Sequence, residues 1–201
     1  MTIGYDGSGI DGNAYVEVVD LAHRAPGWLD AAVAAWSLYG LGLFAVLMAA
    51  AWWRARRAGS PSAVTALAVP LITLAGFGAD LLLKLAVRED RPCRSLHVAV
   101  LESCPAPGDW SFPSNHAAIA AAAAVALLFA SRRLGAIALV AAVLMAASRV
   151  WVGVHYPHDV LAGFAVGALV AATLGWAVRL RQDALADRLG RGPLRFLLTA
   201  P

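Results

Sequence analysis

The sequence predicts an all-α integral membrane protein, a helical bundle of about five transmembrane helices preceded by an N-terminal interfacial helix. Apolar runs recur that are long enough to cross roughly 30 Å of hydrocarbon at about 1.5 Å per helical residue. Of the 201 residues 60% are hydrophobic and 14% charged, with a mean hydropathy of +0.67, whereas soluble domains carry about a quarter charged residues. The breaks between the runs hold arginine clusters, as cytoplasmic loops do. A net charge of +3 and a pI near 9.2 would also suit nucleic acid. The arginines sit beside apolar runs, however, so they read as topology, and no nucleic-acid partner is expected.

Residues 1–29 are acidic and glycine-rich, with an amphipathic stretch over 15–21 that reads as an interfacial helix. No basic segment leads into an apolar run there, so a cleavable signal peptide is not expected. Residues 29–53 are nearly all Ala, Leu, Val, Trp and Phe and form the first expected span, closed by Arg54, Arg56, Arg57 and the breakers Gly59, Ser60 and Pro61. The second span covers 62–84, with Pro70 as a potential kink and Gly76 and Gly78 as points of close helix contact. A polar loop follows. Residues 117–130, dominated by alanine, form the third span, and Ser131, Arg132 and Arg133 turn the chain into a fourth over 134–147. The fifth runs over 160–178, and the arginines after it suggest a basic amphipathic tail over 179–201. The lipid-embedded domain is thus 30–178, flanked by the segments 1–29 and 179–201.

In a five-helix weave the three basic clusters fall on one side, the cytoplasmic one by the basic-residue bias. The loop over 88–116 and the segment 148–159 then meet on the opposite, outer side. Ionisable residues beside membrane segments are costly and by default functional. His155 and Asp159 are four apart, so a helix starting near Tyr156 and Pro157 would let the carboxylate reach one ring nitrogen and leave the other with an outward lone pair. Taken alone, the pair also reads as a capping acid and an interfacial histidine, Lys84 as a snorkelling helix-end lysine and His116 as a polar helix start. The two cysteines, Cys93 and Cys104, flank the outer loop on the side expected to be oxidising, which suggests a disulfide. No Cys and His spacing suggests a zinc site, and neither metal nor cofactor is expected.

Six residues separate Lys84 from Arg91-Pro92; Pro113-Ser114-Asn115-His116 opens a helix; and five residues separate Ser148-Arg149 from His155, with three more between His155 and Asp159. In these motifs, over roughly residues 30–178, the sequence resembles the type 2 phosphatidic acid phosphatase superfamily of membrane lipid phosphatases, which shares its site with vanadium haloperoxidases. Asn115 stands where that family usually has Gly. The resemblance implies a metal-independent phosphatase in which His155 attacks phosphorus, Asp159 orients it and His116 protonates the leaving oxygen. Lys84, Arg91, Arg149 and Ser114, with amides near Asn115, would hold the phosphoryl oxygens. Physical chemistry agrees with such roles, because phosphoryl transfer needs charge on three oxygens positioned and neutralised, and three cations at a helix N-terminus can do that. Arg88, one turn beyond Lys84 if the helix continues, is the candidate for a second phosphate, whereas Asp80, Arg94, His97 and His158 have no motif support.

The segment around His155 and the short length are most similar to bacterial undecaprenyl-diphosphate phosphatases. That similarity implies a multi-pass plasma-membrane enzyme with an extracytoplasmic site, acting on a polyisoprenyl diphosphate to recycle a cell-wall lipid carrier. Phosphatidylglycerophosphate or phosphatidate phosphatase is the alternative within the family. A small lipid transporter or flippase, with Asp80, Lys84 and Arg149 lining a polar path, is the alternative of another class. The sequence leaves the oligomeric state open.

Overall fold

A computed structural model describes residues 4–199. Its helices are α1 (Ser8–Arg24), α2 (Gly27–Tyr39), α3 (Leu41–Ala58), α4 (Ser60–Val87), the single turn α5 (Pro92–Ser95), α6 (Asn115–Ala130), α7 (Arg132–Trp151) and α8 (Pro157–Gly190), followed by a 3-10 turn, Pro193–Leu197. Among the described residues the only strand-like pairing is an isolated bridge between Tyr5 and Glu89.

α6 is the axis. Its alanines from Ala120 to Ala124 are all fully buried, as is Leu127, and α4, α7 and α8 pack around it. A helix apolar on every side belongs at the centre of a bundle. Alanine keeps it thin, and α8 approaches with small residues at four-residue intervals: Gly163, Gly167, Ala171 and Gly175. A Cβ on Gly163 would collide with the Ser114 carbonyl, and one on Gly167 with the Ala118 carbonyl. The two backbones therefore touch, the close packing that small residues allow between membrane helices. Gly76 of α4 serves likewise, since its Cβ would lie 2.8 Å from the Ala122 methyl, but Gly78 faces open space and makes no such contact. Leu71, Leu74, Val140, Val143, Leu161 and Leu169 point outward, where a bilayer would meet them.

Three helices, α4, α7 and α8, are individually long and apolar enough to span a membrane. The first expected span is broken. α2 and α3 meet at a bend of 53°, at Gly40, where a Cβ would lie 2.5 Å from the Trp36 carbonyl and 2.7 Å from Met145 Cε; the backbone contact leaves no room for a side chain there. α6 has 16 residues, about 24 Å of helix, and its burial by neighbours relieves it of the full hydrocarbon thickness. Pro70 lies inside an uninterrupted α4. α8 does not stop near residue 178 but continues to Gly190, so the first part of the expected tail prolongs a span.

Contacts assign the loop regions to two ends of the bundle. At one end Arg56 donates to the carbonyls of Phe196 and Thr199, Thr65 to Gln182, and Arg179 to the Phe129 carbonyl, so the three basic clusters lie together. Leu198 is buried there with Ala63, Val64 and Ala186. The other end gathers the last turns of α4 and α7 and the first turns of α6 and α8. Over it lies α1, which buries Tyr15 and Val19 against Val150, Tyr156 and Val160. The expected interfacial helix is thus part of the bundle's packing.

Candidate active site

α4 ends at Val87 because Arg88 adopts a left-handed conformation (φ 55°, ψ 50°) and returns its N–H to the Lys84 carbonyl. That stop leaves Lys84 in the last turn, 4% exposed, with its ammonium donating to the carbonyls of Trp110 (2.7 Å) and Ser111 (3.0 Å). Arg88 itself is exposed and folds back onto the Leu85 carbonyl. The helix does not continue as the second-phosphate expectation requires, and the Arg88 guanidinium stays outside the cluster.

Arg91 precedes Pro92 and is extended (φ −73°, ψ 143°), as a residue before proline prefers. Its guanidinium turns inward, 5% of the residue exposed. Nε donates to the Asp109 carbonyl, Nη2 pairs with Asp109 Oδ1 at 2.9 Å, and Nη1 reaches the Val154 carbonyl (2.9 Å) and lies 3.1 Å from His155 Nε2. Past α5 the chain forms a loop, its first part closed by a disulfide from Cys104 back to Cys93 of α5. That loop carries Glu102 and Asp109.

Ser114 caps α6 in an extended conformation and donates its N–H to the Asp159 carbonyl at 3.0 Å. Its hydroxyl oxygen and Asn115 Oδ1 are buried without a protein partner, and the first-turn N–H groups beside them suit an anion. Asn115 is an ordinary helical residue, not among the positive-φ positions. The conformational freedom of a glycine is therefore not needed there. His116 follows in the same turn.

α7 delivers Arg149, 5% exposed. Its Nη1 contacts the Ser37 hydroxyl of α2 and pairs with Glu102 Oε2 at 3.0 Å, while Nε is buried without a partner. A turn through Gly153 (φ 85°) then brings His155 down before α8 begins at Pro157. Asp159, fully buried, caps that helix by accepting the Tyr156 N–H on Oδ2 at 2.8 Å. The same oxygen lies 3.3 Å from His155 Nδ1. Because the Arg91 N–H points at Nε2, that nitrogen holds the lone pair and the ring proton belongs on Nδ1. Burial first, then the charges of Arg91, Lys84, Arg149 and His116, hold the His155 pKa well below the usual histidine value, so the imidazole is neutral.

The structure thus brings Lys84, Arg91, Ser114, Asn115, His116, Arg149, His155 and Asp159 to one mouth of the bundle. Beside them are residues that no motif announced. Glu102 and Asp109 each neutralise one arginine. His158 is clamped with Nδ1 2.7 Å from Asp11 of α1 and Nε2 2.9 Å from Glu89, and it stacks on Tyr156. Glu89, His158 and Asp159 offer ligand atoms within 4.8 Å of one another. Yet both His158 nitrogens face carboxylates at hydrogen-bond distance, the geometry of an imidazolium, which has no lone pair for a metal. Tyr15 completes the tie, donating from α1 to the Gly153 carbonyl at 2.8 Å. The sequence signal for these contacts was weak, because each joins residues far apart in the chain.

Residues 63–183 match the family model of the PAP2 superfamily. The chain is 35% identical over 99 residues to undecaprenyl-diphosphatase BcrC of Bacillus subtilis (strain 168), covering 48% of this chain and 49% of that protein. It is 44% identical over 68 residues to an undecaprenyl-diphosphatase of Sulfolobus acidocaldarius, covering 33% of each. It is also 42% identical over 91 residues to decaprenylphosphoryl-5-phosphoribose phosphatase of Mycobacterium tuberculosis (strain ATCC 25618 / H37Rv), covering 45% of this chain and 49% of that one. These matches span a third to a half of each relative's length. Among solved structures, a transmembrane PAP2 type phosphatidylglycerolphosphate phosphatase from Bacillus subtilis superposes with a TM-score of 0.58 at 23% identity, over 90% of this chain and 88% of that chain, which shows a shared fold.

Proposed function

The chain belongs to the PAP2 superfamily, and from that premise we propose that it is a metal-independent lipid phosphatase, acting on a polyisoprenyl diphosphate at the extracytoplasmic face of a bacterial plasma membrane. One observation carries the chemistry: the His155 imidazole, its pKa held well below the usual value by burial and the nearby cations, has Nδ1 toward Asp159 and Nε2 3.1 Å from the Arg91 guanidinium. In the reaction the Nε2 lone pair forms a bond to the terminal phosphorus while the bond from phosphorus to the bridging oxygen breaks. His116, whose pKa burial and the neighbouring cations pull down to about 4, takes up a proton once the anionic phosphate offsets those charges, gives it to that oxygen, and a lipid monophosphate leaves. Water then attacks the phosphohistidine, His116 takes the water's proton, and inorganic phosphate departs with His155 regenerated. Arg91, Arg149 and Lys84, with Ser114 and the first-turn amides of α6, neutralise the phosphoryl oxygens.

The relatives' names support a polyprenyl-linked substrate. The geometry supports a lipid one. An apolar groove of about 270 Å³ between α2 and α7, lined by Val33, Trp36, Leu144 and Trp151, runs up to Ser148 beside Arg149, where the first part of a tail would lie with its phosphate in the site.

The test is phosphate release by the purified protein in detergent with EDTA present, comparing undecaprenyl diphosphate, phosphatidylglycerophosphate and phosphatidate by kcat/KM. We expect the diphosphate to be preferred and turnover to be lost in His155→Ala. Asp159→Asn should be slowed by up to roughly 10⁴-fold, as when an orienting carboxylate is removed in a comparable dyad. Near wild-type turnover by His155→Ala would overturn the mechanism, and a preference for either phospholipid would overturn the substrate.

A further inference from the structure

We propose that Ser111 is a positioning residue of this reaction, its hydroxyl joining the Asp159 carboxylate to the imidazole of His155 and holding that ring in the tautomer that attacks. The inference rests on His155 being the nucleophile. Ser111 lies outside the three motifs and is fully buried.

Its hydroxyl donates to Asp159 Oδ2 at 2.5 Å, and the same Oγ lies 3.4 Å from His155 Nδ1. A hydroxyl has one proton and two lone pairs, and a carboxylate can only accept. The proton is therefore committed to Asp159, and a lone pair remains for the Nδ1 proton. That N–H lies 3.3 Å from Asp159 Oδ2 on one side and 3.4 Å from Ser111 on the other. Both separations exceed the usual N–H···O range of about 2.7–3.2 Å. Neither acceptor alone grips the ring well, so the proton is held by the two together.

The Ser111 backbone is fixed as well. Its N–H donates to the Glu89 carbonyl at 2.7 Å, and its own carbonyl accepts from Lys84 Nζ at 3.0 Å. The residue thus connects a phosphate-neutralising cation to the pair that orients the nucleophile. Asp159 Oδ1, by contrast, has no partner within hydrogen-bond range and its nearest cation is His158 Nε2 at 3.5 Å. Among the described residues, Ser111 is the only side-chain hydroxyl at Oδ2, and it makes the shortest contact.

Removing the hydroxyl takes a donor from a buried carboxylate, which favours its protonated form, and takes an acceptor from Nδ1–H. In Ser111→Ala we expect kcat to fall roughly 10- to 100-fold with KM within about threefold, because the lost interaction orients the nucleophile and does not bind ground-state phosphate. The acid limb of the kcat pH profile should move toward higher pH, since Asp159 then protonates more readily. Ser111→Thr, which keeps a hydroxyl, should retain more activity than Ser111→Ala. In an Asp159→Asn background, Ser111→Ala should cost less than it does in the wild type, because the pair of acceptors that holds the Nδ1 proton is already broken.

Two results would overturn the proposal: a Ser111→Ala protein with kcat within twofold of wild type and an unmoved profile, or losses that multiply in the double variant. If the alanine protein does not fold, Ser111→Cys, close in size with a weak donor, replaces it under the same criteria. Activity in His155→Ala sinks the nucleophile itself, whereas an inactive His155→Ala beside an unaffected Ser111→Ala sinks only the role of Ser111.

Discussion

Glu102→Gln tests how the cations are kept before substrate arrives. Arg149 is 6% exposed at its side chain and pairs at 3.0 Å with Glu102, whose side chain is 34% exposed. That carboxylate offsets the charge an arriving phosphoryl group would bind, although the Arg149 Nε edge is free to meet it. At an effective dielectric of about 20 a contact of this kind is worth roughly 4 kcal/mol in gross Coulomb energy. Water reaches the Glu102 side and screens it, which reduces the net value to about 1 to 2 kcal/mol. A neutral amide competes less, so vanadate, a mimic of the transferring phosphoryl group, should inhibit Glu102→Gln at a concentration roughly 5- to 30-fold lower than wild type. The thermal midpoint should fall, because a buried guanidinium loses its countercharge. The measurement is the vanadate Ki at fixed ionic strength, with melting followed in the same detergent. A Ki within twofold of wild type would mean that Glu102 and the anion do not compete for Arg149.

Other expectations follow from the same geometry. Gly163→Ala should destabilise the bundle by about 1–3 kcal/mol and lower phosphatase activity, since the methyl meets the Ser114 carbonyl at the phosphate-binding turn, whereas Gly78→Ala meets nothing and should melt as wild type; equal midpoints for the two would contradict the backbone contact. Cysteines at Arg57 and Arg133 should be labelled only from the cytoplasm and one at Ala106 only from outside, Ala106 being chosen because Gly108 has φ 91°; the reverse pattern puts the site on the inner face. Unreduced peptides should carry the Cys93–Cys104 bridge by mass spectrometry after alkylation. Opening this short loop with Cys93→Ser and Cys104→Ser should cost roughly 3 kcal/mol, and free thiols at both positions would end that reading.

The sequence by itself determined a good deal. Apolar runs separated by arginines located most helix boundaries to within a few residues, because the cost of charge in hydrocarbon is local and one-dimensional. The spacing of Lys84, Arg91, Ser114, His116, Arg149, His155 and Asp159 was legible for a related reason: each stands at the end of a helix or beside it, and helices that weave back and forth return alternate ends to one face. What depends on contact between distant segments was not legible. Gly40 lies within an apolar run and has no local signature as a bend, and the Met145 side chain that packs against it comes from another helix. α8 continues past the last apolar run because an arginine-bearing stretch is as helical outside a membrane as an alanine-bearing one is inside. Arg88 looked like a second phosphate contact only if α4 continued, and its left-handed turn decided otherwise. The tertiary structure alone set Glu102 and Asp109 on the arginines, closed Asp11 and Glu89 on His158, and put the Ser111 hydroxyl between Asp159 and His155. Those partners come from loops and from the other end of the chain, where a serine or an acid is ordinary surface chemistry until folding removes the water around it.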